Sequence, residues 1–317
     1  MLRYFRKGIF VIKFIKWSVL ALAYAFLAYK LATYDGYGIL WMQWQQSSWH
    51  DWIPLLLMLA LLPINWAIEA KKWQMLCRPF EPQPFTQALQ AVLGALVPAF
   101  ITPNRIGEIV GRPMFLKKEN RIAGAAAAVL NGCAQTIAIV GCGVPSLFFA
   151  QATLSRNSIR LTTYMLICLG VCCALFYAYS YLPKAFRWLS KKKCAGNLAD
   201  SFGIIAEIDK RTQYEALLMS ILRYGVFCLQ FYFMLRFFKI YIPAADALSV
   251  IPLYYLLVTV TPSIAASEAG IRSSYAIVCF SAFSPNTAAI AGAGFMLWLI
   301  NFIVPMIAGS VWNTTEN

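Results

Sequence analysis

The chain has 317 residues, of which 60% are hydrophobic and 13% are charged. A soluble domain carries roughly 45–50% apolar and about 25% charged residues, so this composition excludes an ordinary soluble protein and indicates a single integral membrane domain over residues 1–317. The formal net charge is +14. Its Lys and Arg residues cluster between apolar stretches, which is typical of cytoplasmic loops that face anionic lipids and argues against a nucleic-acid-binding surface.

Several apolar stretches are long enough to cross a membrane as helices, since a spanning helix needs about 20 residues. The basic N-terminus and the first apolar run resemble a signal peptide, but the only small-x-small motif lies inside that run, so we expect an uncleaved span. Loop 34–51 has no Lys or Arg, whereas Lys71, Lys72 and Arg78 follow the next span, which predicts a cytoplasmic N-terminus. The predicted spans are 12–33, 52–70, 122–150, 160–182, 213–238 and 286–311.

Residues 85–99 are apolar but too few to cross the bilayer, because they cover roughly 22 Å at 1.5 Å per residue. Arg78 precedes this stretch and a basic cluster beginning at Arg105 follows it. Both of its ends are therefore expected on the cytoplasmic side. We predict a re-entrant hairpin over 84–120 that enters from that side.

Residues 246–282 form a second stretch that does not fit a simple spanning helix. It follows a span that should end outside and precedes one that should begin outside, and its apolar sequence is interrupted at Pro262, Glu268 and Arg272. A hairpin that enters from the outer face and returns to it would keep both ends of this stretch outside. Non-helical backbone at membrane depth is tolerated where it is buried in protein or lines a wet cavity.

The two predicted hairpins contain similar sequences, TPNRIGEIVGR at 102–112 and TPSIAASEAGIR at 261–272. Each begins with Thr-Pro, and proline prevents a regular helix from continuing through that point. Two similar elements that enter from opposite faces indicate an inverted-topology repeat, with halves over about 1–150 and 160–317. Transporters of this type bind substrate near the midplane, at broken helices.

Each hairpin also has a Glu four residues before an Arg, Glu108 with Arg112 and Glu268 with Arg272. Residues i and i+4 share one helical face, so each Glu can pair with its Arg. Pairing lowers the cost of a charge at the bilayer centre, which is at least about 2.5–3.5 kcal/mol. These pairs could line a substrate path or could be structural clamps that hold the hairpins in place.

Arg105 has no acidic partner at helical spacing, so it could be a head-group ligand or a positive-inside anchor. No residue is predicted to be catalytic or to bind a metal. The candidate substrate-binding residues are Asn104, Arg105, Glu108, Arg112, Ser263, Ser267, Glu268 and Arg272.

Other polar residues lie inside the apolar runs. Glu69 could pair with the adjacent lysines, and Arg223 could pair with Glu215 or extend to the interface. Interhelical hydrogen bonding accounts for the amides as well as a functional role does. These amides include Asn65, Asn131, Gln135 and Asn301.

Nothing in the sequence indicates a cofactor. The nine cysteines and the single histidine form no CxxC pair and no Cys/His cluster, so neither a disulfide framework nor a metal site is expected. The phosphate-binding loop G-x-x-x-x-G-K-[ST] is also absent, so we do not expect ATP to drive the protein directly.

The segment PNRIGEIVGRPMFL (103–116) resembles the Pro-x-Arg-x-Gly-Glu…Arg…Leu signature of the lysylphosphatidylglycerol synthase transmembrane family, also called flippase-like domain proteins. Residues 72–76 look like that family's Arg-Trp-x-x-Leu, and 262–278 is similar to its second signature. The resemblance covers about residues 10–312. In the second signature, Ala265, Ala266 and Ala269 replace glycines, and Ser273 replaces an acid.

The resemblance implies a function in a bacterial inner membrane. Full-length synthases of the family carry a soluble aminoacyltransferase domain, for which the residues after 312 leave no room, so the expected part is the lipid-translocating one. We expect a flippase-like transporter, not an enzyme, that moves an anionic phospholipid or lipid-linked amphiphile between leaflets. The path would be a cavity lined by the two hairpins.

Two alternatives from other classes stay open. One is an intramembrane enzyme that acts on a lipid-linked substrate. Such a site usually needs several acids or histidines, often with a metal. The other is a non-transporting subunit of an envelope lipid or glycan biosynthetic complex. The expected partners are membrane lipids with anionic head groups, and the sequence gives no oligomeric state.

Overall fold

The computed structural model describes residues 38, 48–154, 158–191 and 199–315, and no strand occurs within them. The first predicted span, 12–33, lies outside these residues. The helices are α1 (Trp49–Cys77), α2 (Phe85–Gly94), α3 (Leu96–Ile101), α4 (Gly107–Gly111), α5 (Arg121–Leu154), α6 (Ser158–Ser190), α7 (Ala199–Ala206), α8 (Lys210–Phe237), α9 (Ala244–Val260), α10 (Ala265–Phe280), α11 (Thr287–Trp298) and α12 (Val304–Thr315).

Four stretches of helix in the described part of the chain are long and apolar enough to cross a membrane. They are Trp49–Cys77, Lys118–Leu147, Lys210–Phe237 and Thr287–Trp312. Each overlaps one of the predicted spans. Helix α6 has 33 residues and covers the predicted span 160–182. The chain is therefore an all-α polytopic membrane protein, as the sequence predicted.

The two segments predicted as hairpins are each a helix, a break and a second helix. In the first hairpin (85–115), α2 and α3 lead to a break at 102–106, and α4 follows. In the second hairpin (244–280), the break at 261–264 separates α9 from α10. The helix before each break, which we call the leading helix, is α3 in the first hairpin and α9 in the second. Each leading helix ends just before a threonine, because the proline that follows disfavours helical backbone at that threonine.

The two threonines before the prolines have the same local role. Both have extended backbone, with φ −100° and ψ 143° at Thr102 and φ −88° and ψ 116° at Thr261. The Thr102 hydroxyl donates to the carbonyl oxygen of Pro98 at 3.0 Å, and the Thr261 hydroxyl donates to that of Leu257 at 2.8 Å. Each hydroxyl thus satisfies a carbonyl at the end of the leading helix, where no backbone donor follows.

Packing of the helices brings the two hairpins together. Helix α1 packs along α8, α5 along α9 and α10 along α11, while α3 of the first hairpin contacts α10 of the second. One apolar cluster surrounds the first hairpin and α1, and another joins α8, α9, α10 and α11. Residues from both clusters line a cavity at their junction.

Two glycines allow the arms of the first hairpin to pack closely. A Cβ atom on Gly107 would overlap the backbone carbonyl of Pro98, and one on Gly111 would lie 2.7 Å from Pro98 Cγ and 2.9 Å from Ala95 Cα. A larger residue at either position would force α4 away from α3. Gly225 on α8, by contrast, has no such neighbour within 4 Å.

We expect Gly107→Ala to destabilise the protein by about 1–3 kcal/mol, because overpacking against a fixed backbone costs that much. The measurement is thermal unfolding of the purified protein in detergent. Gly225→Ala is the matched control and should leave the midpoint unchanged or raise it. Equal midpoints for the two variants would contradict the close packing of α4 on α3.

Candidate functional site

A cavity of about 530 Å³ lies where the two hairpins, α1, α5, α8 and the last spanning helix meet. Part of its wall is aromatic, with Trp66, Phe227, Tyr255 and Trp298 among the lining residues. The rest is unusually charged for the interior of a membrane protein. Its charged residues are Glu69, Arg105, Glu108, Arg112, Arg223, Glu268 and Arg272.

Glu69 on α1 is the centre of the larger charge network, and its side chain is only 1% exposed. Its Oε1 atom lies 2.7 Å from Arg112 Nη2, and its Oε2 atom lies 3.0 Å from both Lys72 Nζ and Arg223 Nη1. Asn131 Nδ2 also donates to Oε1 at 2.7 Å. The expected pairing with adjacent lysines thus holds for Lys72, but two distant arginines share the same carboxylate.

Arg223 pairs with Glu69 at 3.0 Å. Sequence alone instead suggests Glu215 as its partner, or extension of the side chain to the interface. Arg223 lies eight positions after Glu215, which corresponds to about 12 Å along α8 and is too far for an ion pair. Glu215 instead pairs with Arg211 at 2.8 Å on the exposed end of the helix. Arg223 Nε donates to Asn65 Oδ1 at 2.8 Å, so Arg223 links α8 to α1.

Arg112 connects the first hairpin to this network. Its Nη2 atom lies 2.5 Å from Glu108 Oε2, the predicted i, i+4 pair, and 2.7 Å from Glu69. The side chain is buried, yet its Nε and Nη1 atoms have no hydrogen-bond partner in the described part of the protein. A buried guanidinium with two unused donors can bind an anion.

The second charge network is centred on Glu268 of α10. Its Oε1 atom accepts from Arg272 at 2.8–2.9 Å, the other predicted i, i+4 pair, and from Arg105 Nη2 at 2.8 Å. Arg105 therefore has an acidic partner, 163 residues away on the other hairpin. Its guanidinium also lies 4.1 Å from the centre of the Phe302 ring, a cation–π contact.

The tips of the two hairpins are hydrogen-bonded through Asn104 and Ser263. The Asn104 amide nitrogen donates to the Ser263 carbonyl at 2.7 Å, and the Ser263 amide nitrogen donates to Asn104 Oδ1 at 2.8 Å. Asn104 and Arg105 both have positive φ, 48° and 59°. This backbone is strained for an arginine, and the contacts with the second hairpin compensate for the strain.

Ser267 is the candidate residue that does not line the cavity. It lies in the first turn of α10 and is exposed, and its hydroxyl donates to the Ile264 carbonyl at 3.0 Å and accepts from the Ile264 amide at 3.3 Å. Its contact is thus local to the start of the helix. The other seven candidate residues lie together on the cavity wall.

Lys72 belongs to the basic cluster that the sequence predicts on the cytoplasmic side of the second span, yet its side chain is fully buried. It donates to Ser220 Oγ at 2.8 Å as well as pairing with Glu69. The i, i+3 spacing from Glu69 is the sequence signal that could have identified this burial. With Lys72 included, the two networks contain five cations and three carboxylates among the described residues, an excess of two positive charges. Lys72 does not line the cavity, so the cavity wall itself has an excess of one.

Comparison with known proteins identifies one family. The family model described as the lysylphosphatidylglycerol synthase TM region matches residues 13–309. No match is found among curated proteins.

We expect Glu69→Gln to destabilise the protein by about 3–5 kcal/mol, because it leaves three buried cations without their shared carboxylate. Chemical denaturation of the purified protein in detergent measures the change. Glu215→Gln is the matched control, since it removes an exposed pair of about 0–1 kcal/mol. A Glu69→Gln variant as stable as the control would show that the network does not hold these helices together.

Proposed function

The chain belongs to the lysylphosphatidylglycerol synthase TM region family, and from this membership we propose that it is a flippase-like transporter of an anionic phospholipid or lipid-linked amphiphile. The family and the apolar helices establish a multi-pass membrane protein of a lipid-related family. One observation carries the finer proposal. Arg112 lies on the cavity wall with two unpartnered donors, in a site with an excess of positive charge.

The chemistry of this wall suits a lipid phosphate. A phosphodiester carries one negative charge and accepts paired hydrogen bonds from a guanidinium in a fixed geometry. Burying an unpaired positive charge in the membrane is costly, so neutralisation by an anion is favourable. The cavity volume falls in the range of sites for drug-sized ligands, a size that suits a head group while the acyl chains stay in the bilayer.

We further propose that the two hairpins are re-entrant from opposite faces and form an inverted repeat, with the N-terminus in the cytoplasm of a bacterial cell and the chain in its inner membrane. Three repeated features support the relation between the hairpins: the Thr-Pro break, the threonine hydroxyl bonded to a carbonyl four residues back, and the Glu–Arg pair. Inverted repeats expose a central site alternately by rocking one half against the other.

Rocking of this kind must change the contacts that join the two hairpins. Those contacts are the Asn104–Ser263 hydrogen bonds and the Arg105–Glu268 ion pair. Arg105 is 32% exposed, so water can replace part of its ion pair when the tips separate. A negatively charged head group can also compete with Glu268 for Arg105, which would couple substrate binding to movement of the tips.

The ion pairing of the carboxylates favours transport over catalysis. A general base needs a carboxylate oxygen within reach of the substrate proton. Glu69, Glu108 and Glu268 are each engaged by at least one arginine. The cavity therefore offers cationic donors to a ligand and no unpaired carboxylate from the described residues.

We expect purified protein in liposomes to move labelled phosphatidylglycerol between leaflets faster than protein-free liposomes. Arg112→Gln should slow transfer by about tenfold or more, since a hydrogen bond to a charged group contributes about 1.5–3 kcal/mol. Arg211→Gln is the matched control, because Arg211 is 85% exposed and lies outside the cavity. Arg105→Gln tests the same wall with a partly exposed residue, in case Arg112→Gln does not fold.

If folded wild-type protein moves no lipid above the protein-free background, the transport proposal is wrong. Mass spectrometry of the lipids from the same liposomes then separates the alternatives. A chemically altered lipid would indicate an intramembrane enzyme. Unaltered lipid, together with a copurified synthase, would indicate a non-transporting subunit.

A further inference from the structure

The last spanning helix contains a π-helical turn, Leu299–Ile303, between α11 and α12. A π turn has i→i+5 hydrogen bonds, is wider than an α turn, and is frequent at functional sites. It occurs where the helix lines the cavity, and Trp298, Asn301 and Phe302 all contribute to the wall there. The widened turn thus contains Asn301, the one amide residue of the described part of this helix that lines the cavity.

Asn301 and Trp298 carry polar atoms that the protein does not satisfy. Asn301 Oδ1 and Nδ2 and Trp298 Nε1 are all buried without a hydrogen-bond partner in the described residues. Trp298 is 1% exposed. An unsatisfied buried polar group is unfavourable and needs an explanation such as a ligand or an ordered water.

Asn301 is the one cavity amide whose donor and acceptor both lack a partner among the described residues, although Asn131 Oδ1, Trp66 Nε1 and the Tyr224 hydroxyl on the same wall are also buried without one. Asn131 donates to Glu69, and Gln135 accepts from Lys72 and Arg223. The interhelical hydrogen bonding expected from sequence therefore holds for these two residues. It does not hold for Asn301, whose donor and acceptor both lack a partner in the part of the chain that the structure describes.

The chemistry of the missing partner follows from this pair of free atoms. A phosphate oxygen only accepts and an ammonium group only donates, so either would leave one Asn301 atom unsatisfied, whereas a hydroxyl both donates and accepts. The indole Nε1 of Trp298 adds a donor. Phe302, next to Asn301, lies under the Arg105 guanidinium, so this position adjoins the charged wall proposed to bind the phosphate.

We propose that Asn301 and Trp298 form a subsite for a hydroxyl group of the transported head group, so that the substrate is an anionic lipid whose head group carries a polyol or a sugar. This inference rests on the proposed function and narrows its substrate class. The charged wall binds the phosphate. The amide and indole then discriminate among anionic lipids that have the same charge.

Two lipids with the same charge and different head groups test this subsite. Phosphatidylglycerol and phosphatidylethanol are both singly charged phosphodiesters, but only the first has hydroxyl groups on its head group. Binding of short-chain forms of each to the purified protein in detergent is measured by native mass spectrometry. Wild-type protein should bind phosphatidylglycerol about tenfold more tightly, as expected for one or two additional hydrogen bonds.

Asn301→Leu should bring the ratio of the two affinities to about one, whereas Arg211→Gln, which lies outside the cavity, should keep the wild-type ratio. Because Asn301→Leu replaces two unsatisfied buried atoms by an apolar group, it should also retain or raise thermal stability, which separates a recognition role from a structural one. Trp298→Phe keeps the aromatic ring and removes only the indole donor, so we expect a smaller loss of preference of about threefold.

Equal binding of the two lipids by wild-type protein, or a preference that survives in Asn301→Leu, overturns the hydroxyl subsite and leaves the anion site intact. Absence of binding to either lipid overturns the subsite and the proposed anion site together. Transfer in liposomes, which is measured separately, shows whether the transport proposal also fails.

Discussion

Burial of one carboxylate, Glu69, constrains the rest of the charged interior. A charge inside the membrane is tolerated when it is paired and turned toward protein, and Glu69 meets this requirement with three cations from three segments. Arg112 ties the first hairpin to α1, and Arg223 ties α8 to α1. Loss of the carboxylate would leave Lys72 and Arg223 without an acidic partner among the described residues and Arg112 with Glu108 alone, so the positions of these elements depend on it.

The same network is both a scaffold and a candidate binding site. The structural-clamp interpretation explains the bonds that Arg112 makes with Glu69 and Glu108. It does not explain why two donors of that guanidinium are buried and unused. Most buried donors in proteins are paired, whereas a site that binds a transient anion leaves some of its donors free. The excess of positive charge in the two networks also favours a site that binds an anion.

Local features of this molecule were predictable from sequence, and long-range ones were not. The hairpin breaks and the two Glu–Arg pairs depend on proline and on the i, i+4 geometry of a helix, which sequence determines directly. The partner of Arg105 lies 163 residues away and depends on how the hairpins pack. The π turn and the free amide of Asn301 have no sequence signature, because an amide's partner is set by neighbouring helices. Five of the seven charged residues on the described cavity wall were therefore candidates from sequence, but the network that joins them was not predictable.

The most direct test of the account is to lock the two hairpin tips and measure lipid transfer. Asn104 and Ser263 are joined by two hydrogen bonds, so Asn104→Cys combined with Ser263→Cys should form a disulfide on oxidation. Each single variant under the same oxidant controls for the native cysteines. If movement of the tips is the basis of transport, oxidation of the double variant should reduce transfer to the protein-free level, and a reductant should restore it. Transfer at an undiminished rate with the tips cross-linked would contradict movement of the hairpins as the basis of transport.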